Sequence, residues 1–452
     1  MLNNLVVDKI ERSGFKVRKV IFLFDIVAIV IAGLSSVLQN DPLNFIVIFL
    51  VILSLFFKDD IQCVYTMIIL FPFEYSLSFE GKGLLFLLTY TIALRIIFLN
   101  RNKKINLTTL LCGFIIIILE VTNSLGNGVS LFTMIHWVGI FSLFLVTILY
   151  VDFSKWNQLT ATRNFVLAYL VVIFATFISA GSSWEIFFTQ ISGVIQMNDR
   201  FGYSLSSLGG AMGIPFYSLI TISLLLINLE GQKINKTQKI VFISLIIFSL
   251  IIGLITVSRL FIIGILLVEL IFTMSFISMK IKVRNIIYLF LIFMITFGLY
   301  VIIESLMQGV LSRIIYRMGT TVNDSRILIQ MQSFKFLSEN WNYALVGLGT
   351  NYYPIYGSLK GYLFSAHTHN IYLDALMSWG IIGSISFLVI IRKFVKKCRI
   401  SKKSFKRTIS IAPISIILFW FLSAGTFSSY RDYIFILLAI CSYYFGVKER
   451  EI

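Results

Sequence analysis

Three short clusters hold side chains able to grip an anion and move a proton. Ser258-Arg259 separates two apolar runs, Ile240–Val257 and Leu260–Met279. An arginine near a bilayer interior costs roughly 2.5–3.5 kcal/mol on insertion scales, so Arg259 either snorkels to the headgroups or meets an anion inside a bundle. Asn323, Asp324 and Ser325 are N-cap residue types ahead of the helix-favouring stretch Ile327–Leu337. That places Arg326 in a first helical turn, where a cation and free backbone N–H groups together suit an anion; the alternative is an exposed loop arginine. His367-Thr368-His369-Asn370 ends the longest polar interval of the chain, Met307–Asn370, and precedes the apolar run Ile371–Ile391. Imidazole titrates nearest neutral pH, so this cluster offers a base or hydrogen-bond partner for a substrate hydroxyl, or else a structural pair.

Other chemistries lack the residues they need. His136 is the third and last histidine, and no pair of carboxylates accompanies the histidines at metal-ligand spacing, so no metal site and no cofactor are expected. No D-x-D occurs, which argues against a metal-dependent nucleotide-sugar transferase, and the four cysteines form no C-x-x-C. Acids fall inside or beside apolar runs at Asp25, Glu74, Glu120, Glu269, Glu304 and Asp374. Such acids are functional candidates by default, as in transporters. Asp374 lies one helical turn after Asn370, and Arg431 stands between the last two apolar runs; both are weaker candidates to support a substrate.

The elements that must carry these clusters are membrane helices. The 452 residues are 58% hydrophobic and 13% charged, with mean hydropathy +0.92. Continuous apolar runs without alternation exclude a β-barrel and point to an all-α polytopic bundle of about 12–14 spans. The formal charge of +17 reads as basic loops on the cytoplasmic side, not as a nucleic-acid surface. Lys16–Lys19, Arg101–Lys104, Lys233–Lys239, Lys280–Arg284 and the cluster Arg392–Arg407 all fall in one alternating set of loops. Both termini are therefore expected in the cytoplasm, and Met307–Asn370 outside. The chain divides on this reading into an N-terminal bundle (1–306), an extracytoplasmic loop (307–370) and C-terminal spans (371–452) with a basic cytoplasmic loop at 392–407.

Ser258-Arg259 between two spans, Arg326 in an outer loop, and His369-Asn370-Ile371-Tyr372-Leu373 followed by Trp379-Gly380-Ile381-Ile382-Gly383 together resemble the O-antigen ligase and Wzy-type polysaccharide polymerase superfamily. The similar segment runs from about Ile240 to Ile391. The resemblance implies a bacterial cytoplasmic-membrane glycosyltransferase, similar in architecture to the GT-C type, that works without metal or nucleotide sugar. Its substrates would be polyprenyl-diphosphate-linked oligosaccharides, with a chain-length regulator and a flippase as candidate partners. By position, Arg259 and Arg326 match the family's functional arginines and His369 its loop histidine, whereas His367 lies outside the shared pattern. Asn370, Asp374 and Arg431 complete the expected substrate contacts. The motifs do not separate polymerases from ligases. A transporter using the buried acids is the competing class, although no related halves with matched broken helices occur.

Overall fold

The computed structural model describes residues 22–79, 82–180, 203–232, 234–256, 258–278, 325–350, 352, 368–401, 408–423 and 429–446. His367, Glu304 and Asp324 lie outside the described residues, as does most of Met307–Asn370 before Ser325.

The described chain is an all-α membrane bundle. In order, the helices are α1 (Phe22–Leu38), α2 (Asp41–Leu55), α3 (Asp60–Ile69), α4 (Leu85–Leu99), α5 (Leu107–Gly126), α6 (Leu131–Tyr150), α7 (Gln158–Ala180), α8 (Gly210–Gly231), α9 (Lys236–Ile255) and α10 (Arg259–Ser278). Beyond the interval 279–324 come α11 (Ser325–Glu339), α12 (Trp341–Val346), α13 (Ile371–Ser401), α14 (Ala412–Ser423) and α15 (Tyr430–Phe445). Among the described residues, six helices are long and apolar enough to cross a bilayer, and α1 to α4 are shorter apolar helices. One antiparallel hairpin, β1 (Ser78–Phe79) with β2 (Lys82–Gly83), interrupts the helices.

Caps fix where several helices begin. The Asp59 carboxylate accepts the Gln62 N–H, and the Gln62 side chain accepts the Asp59 N–H, a reciprocal pair that starts α3. Asn235 and Gln238 start α9 in the same way, and Asn106 and Ser130 cap α5 and α6. Two boundaries depart from what the apolar and basic stretches suggest. The apolar stretch 61–78, long enough by itself for one span, is not one helix: α3 stops at Ile69, and Pro72 sits in a short 3-10 turn before the hairpin. The basic segment from Arg392 is not wholly a loop, because α13 stays helical to Ser401. Lys397 within it donates to the carbonyls of Ile148 (2.7 Å) and Leu149 (3.2 Å), which ties this stretch to the end of α6.

The main core runs from Ala28 to Phe445, so the N-terminal and C-terminal stretches pack as one body. Aromatic rings knit its centre: Phe71 stacks on Phe165 at 4.5 Å, and Trp137 lies 5.2 Å from Phe141. Polar groups inside a bilayer must be satisfied by the protein, and both ends of the bundle are pinned this way. At the basic end the Lys58 ammonium donates to Asp25 (2.6 Å), Ser54 (2.9 Å) and Thr66 (2.6 Å), using all three of its hydrogens. At the opposite end Asn44 donates to the carbonyls of Ser76 and Ser78 and accepts from Ser35, which fixes the hairpin on α2.

Candidate functional site

The site region is built on a break in α13. Gly380 has φ 64° and ψ −170°, so the helix is interrupted there. A β-carbon at Gly380 would sit 2.3 Å from the Leu345 carbonyl oxygen, so only glycine fits. The carbonyls freed above the break find other donors: Leu348 N–H bonds Met377 O and Gly349 N–H bonds Ser378 O, each at 2.8 Å. Gly347, at φ 77°, allows this approach, since its β-carbon would lie 2.2 Å from Ser378 O. The Gly347-Leu348-Gly349 turn is therefore locked against the upper half of α13.

The end of α5 grips the same turn. Both Glu120 oxygens accept the Thr350 N–H (3.0 and 3.1 Å), and one also accepts the Trp379 indole N–H at 3.0 Å. Ser124 donates to Glu120 at 2.9 Å, Asn123 to the Val346 carbonyl at 2.9 Å, and Asn127 to the Leu348 carbonyl. Below the turn, Phe336, Leu348, Tyr352 and Met377 form a small separate core joining α11, the turn and α13. Tyr352 and Asp374 are fully buried, and the phenol donates to Asp374 Oδ1 at 2.9 Å. Burial first, and then the Asp374 carboxylate, push the Tyr352 phenol well above its usual range, so it stays a donor.

His369 stands at the head of this assembly with its backbone at φ 54°. Among the described residues only Gln39 shares a positive φ without being glycine. Such a conformation costs on the order of 1–3 kcal/mol and persists only where neighbours enforce it. Here the neighbours are visible. Thr368 is fully buried, its hydroxyl donates to Asn370 O at 2.9 Å, and its carbonyl accepts from Gln330 of α11 at 3.1 Å. The Asn370 side chain caps α13, accepting the N–H groups of Tyr372 (3.1 Å) and Leu373 (3.2 Å). Gln330 lies one turn after Arg326 on the same helix, so the bond to Thr368 brings the α11 face that carries Arg326 against the segment that carries His369. The other face of α11 exposes Ile327, Leu328, Met331 and Phe334, as suits a helix at a membrane interface.

Arg259 opens α10, half-buried, behind Ser258, whose carbonyl accepts from Phe261 at 3.1 Å. Its helix packs against α8 and α14. Asn370 serves as a helix cap and Asp374 as the buried partner of Tyr352, so their side chains are engaged in building the site. Arg431 is engaged as well: it donates to Tyr217 at 2.9 Å and Ser429 at 3.2 Å, and lies 3.6 Å from Glu74. Glu74 in turn accepts from Ser429 (2.7 Å) and the Tyr430 N–H (2.8 Å). Asp25, Glu74 and Glu120, candidates for ion coupling by sequence, are thus internal ties. Gln330 escapes the sequence reading, and Gly380 enters it only as part of a motif, without the break it makes. A glycine after a tryptophan in an apolar run was the available signal for the break, whereas nothing local marks a glutamine that bonds 38 residues away.

Comparison with protein families matches residues 244–388 to the family described as O-Antigen ligase. No curated protein and no solved structure matches the chain. The matched stretch contains Ser258-Arg259, Arg326, the strained His369-Asn370 turn and the broken upper half of α13. Residues 244–388 of this membrane protein are thus the part of the chain that matches the O-antigen ligase family.

Proposed function

We propose that the protein is a polysaccharide polymerase that joins polyprenyl-diphosphate-linked oligosaccharides on the outer face of a bacterial cytoplasmic membrane. The donor is a glycan on a lipid diphosphate, and the acceptor is the free sugar end of another lipid-linked unit. The observation that carries this reading is the turn at His369, held in a costly conformation by Thr368, Asn370 and Gln330 beside the helix of Arg326. Strain maintained by dedicated bonds supports a functional site.

In the reaction the acceptor hydroxyl oxygen bonds to the donor's anomeric carbon, and the carbon–oxygen bond to the diphosphate breaks. The diphosphate leaves with the bonding electron pair, and His369 takes the hydroxyl proton. Arg259 and Arg326 hold the diphosphate and meet its growing charge. Asn370, Asp374 and Arg431 position these groups through the caps and ties described above. The preformed lipid-linked substrates need neither nucleotide sugar nor metal.

The family's description favours a second reading, a ligase that moves a finished glycan to a different acceptor. The two share donor chemistry and differ in the acceptor. The purified protein in liposomes, given a lipid-diphosphate-linked repeat unit alone, decides between them. Products of increasing length mean polymerisation. Transfer only after a second, chemically different acceptor is added means ligation, and no transfer under either condition rejects both.

A further inference from the structure

An apolar groove of about 480 Å³ runs between α13, α14 and α15, a size within the range of small-ligand sites. Among the described residues its walls are hydrocarbon except for Tyr372 and Ser384. It begins at Tyr372 and Ala375, in the first turns after the Asn370 cap, and continues past Phe387 to Val395, with Ile417 of α14 and Ala439 of α15 opposite. The lining reaches from Tyr372 past the Gly380 break to Val395, on both parts of a helix set in a hydrocarbon core about 30 Å thick. The groove thus has one end at the candidate site and its length in the membrane.

We propose that this groove holds the polyprenyl chain of the lipid-diphosphate substrate, a proposal that rests on the polymerase reading. The ligand it fits is an amphiphile with a single long chain and an anionic head beside His369 and Arg326. A glycerophospholipid brings two chains to one groove and is the poorer match. A chain moving from lipid into the groove gains little hydrophobic energy, because both surroundings are apolar. The groove contributes position: it brings the diphosphate to the site at one depth and from one side. Misplacement by about 1 Å can cost a hundredfold in rate.

The test uses the full-length protein in liposomes with two donors, the same glycan on a long polyprenyl diphosphate and on geranyl diphosphate. Ala439→Phe and Ala375→Leu fill the groove away from the proposed catalytic groups. Each should lower kcat/KM for the long-chain donor about ten- to a hundredfold while leaving the geranyl-linked donor near wild type. In parallel, a photoreactive polyprenyl diphosphate should crosslink wild-type peptides from α13, α14 and α15, and unlabelled polyprenyl diphosphate should compete where phosphatidylglycerol does not. Equal effects on both donors, crosslinks confined to other helices, or competition by phosphatidylglycerol would each overturn the proposal. Groove crosslinking in a protein that transfers no glycan from either donor would instead sink the polymerase reading and leave the lipid site standing.

Discussion

Tyr352 donates a 2.9 Å hydrogen bond to Asp374, and neither residue has any exposed surface. The bond ties the polar loop to the first turn of the helix that follows His369. Tyr352→Phe removes one donor from a buried carboxylate, which costs about 1–3 kcal/mol. The loss should appear as faster hydrogen exchange in residues 341–352 and the first turns of α13, with lower transfer activity and unchanged membrane insertion. Because burial and Asp374 raise the phenol's pKa, the fold favours its protonated form. The bond's stabilisation is then complete below the ordinary tyrosine value of about 10 and is lost as pH rises beyond it. Exchange in this segment should therefore be limited by the same opening free energy from neutral pH to about pH 9; opening that eases within that window would contradict the assignment.

The backbone at His369 separates conformation from chemistry. Asparagine tolerates a positive φ far better than most residues, so His369→Asn keeps the turn and removes the imidazole. We expect normal yield and proteolytic stability with activity down about a hundredfold or more, the usual range for a lost general base. His369→Ala should lose activity and also loosen the turn. Wild-type rates for His369→Asn would remove the histidine from the reaction.

Arg259 and Arg326 sit on separate helices yet are assigned to one diphosphate. A charge-assisted hydrogen bond is worth roughly 1.5–3 kcal/mol, so replacing either by alanine should lower activity about ten- to a hundredfold. Lysine should rescue poorly, since it cannot bind two oxygens in parallel. Normal product length from both alanine variants at equal protein levels would end the shared-site assignment.

Substitution at the α13 break should act on folding. An alanine at Gly380 meets the Leu345 carbonyl at 2.3 Å, and one at Gly347 meets Ser378 O at 2.2 Å. Strained backbone alone costs on the order of 1–3 kcal/mol at each position, before the clash. Both variants should lower the midpoint of thermal unfolding in detergent. Gly126→Ala, where no atom lies within 4 Å, should leave it unchanged.

Orientation is open to a direct check. The lysine and arginine asymmetry predicts residues 307–370 outside and 392–407 inside. Single cysteines at Ser358 and Ser404, in a background without the native four, should react with an impermeant thiol reagent in intact cells at Ser358 only. The opposite pattern reverses the topology.

The helical class, the membrane setting and the family were legible because they rest on local signals: long apolar runs, basic loops, and short motifs such as His369-Asn370. Asn370 as a cap follows from its place before Ile371. What the chain hid depends on contacts between distant segments. Glu120 reads as a lone acid in a span, and only folding shows it bonding Thr350, 230 residues away. Arg431 reads as a candidate substrate contact between the last two apolar runs, yet Glu74 and Tyr217, from earlier elements, hold it. Trp379-Gly380 could be quoted as a motif without revealing that the helix stops there to receive Leu348 and Gly349.

That interruption has a bearing on biogenesis. Met377 and Ser378 give their carbonyls to the backbone N–H groups of Leu348 and Gly349, and a bare carbonyl in hydrocarbon costs several kcal/mol. As the ribosome delivers α13 to the insertion machinery, its upper half is not a self-sufficient membrane segment. It becomes one when the preceding loop docks on it and α5 closes over that loop. Insertion of α13 and maturation of the candidate site are consequently one assembly event, in which a segment made early waits as the template for one made some 220 residues later.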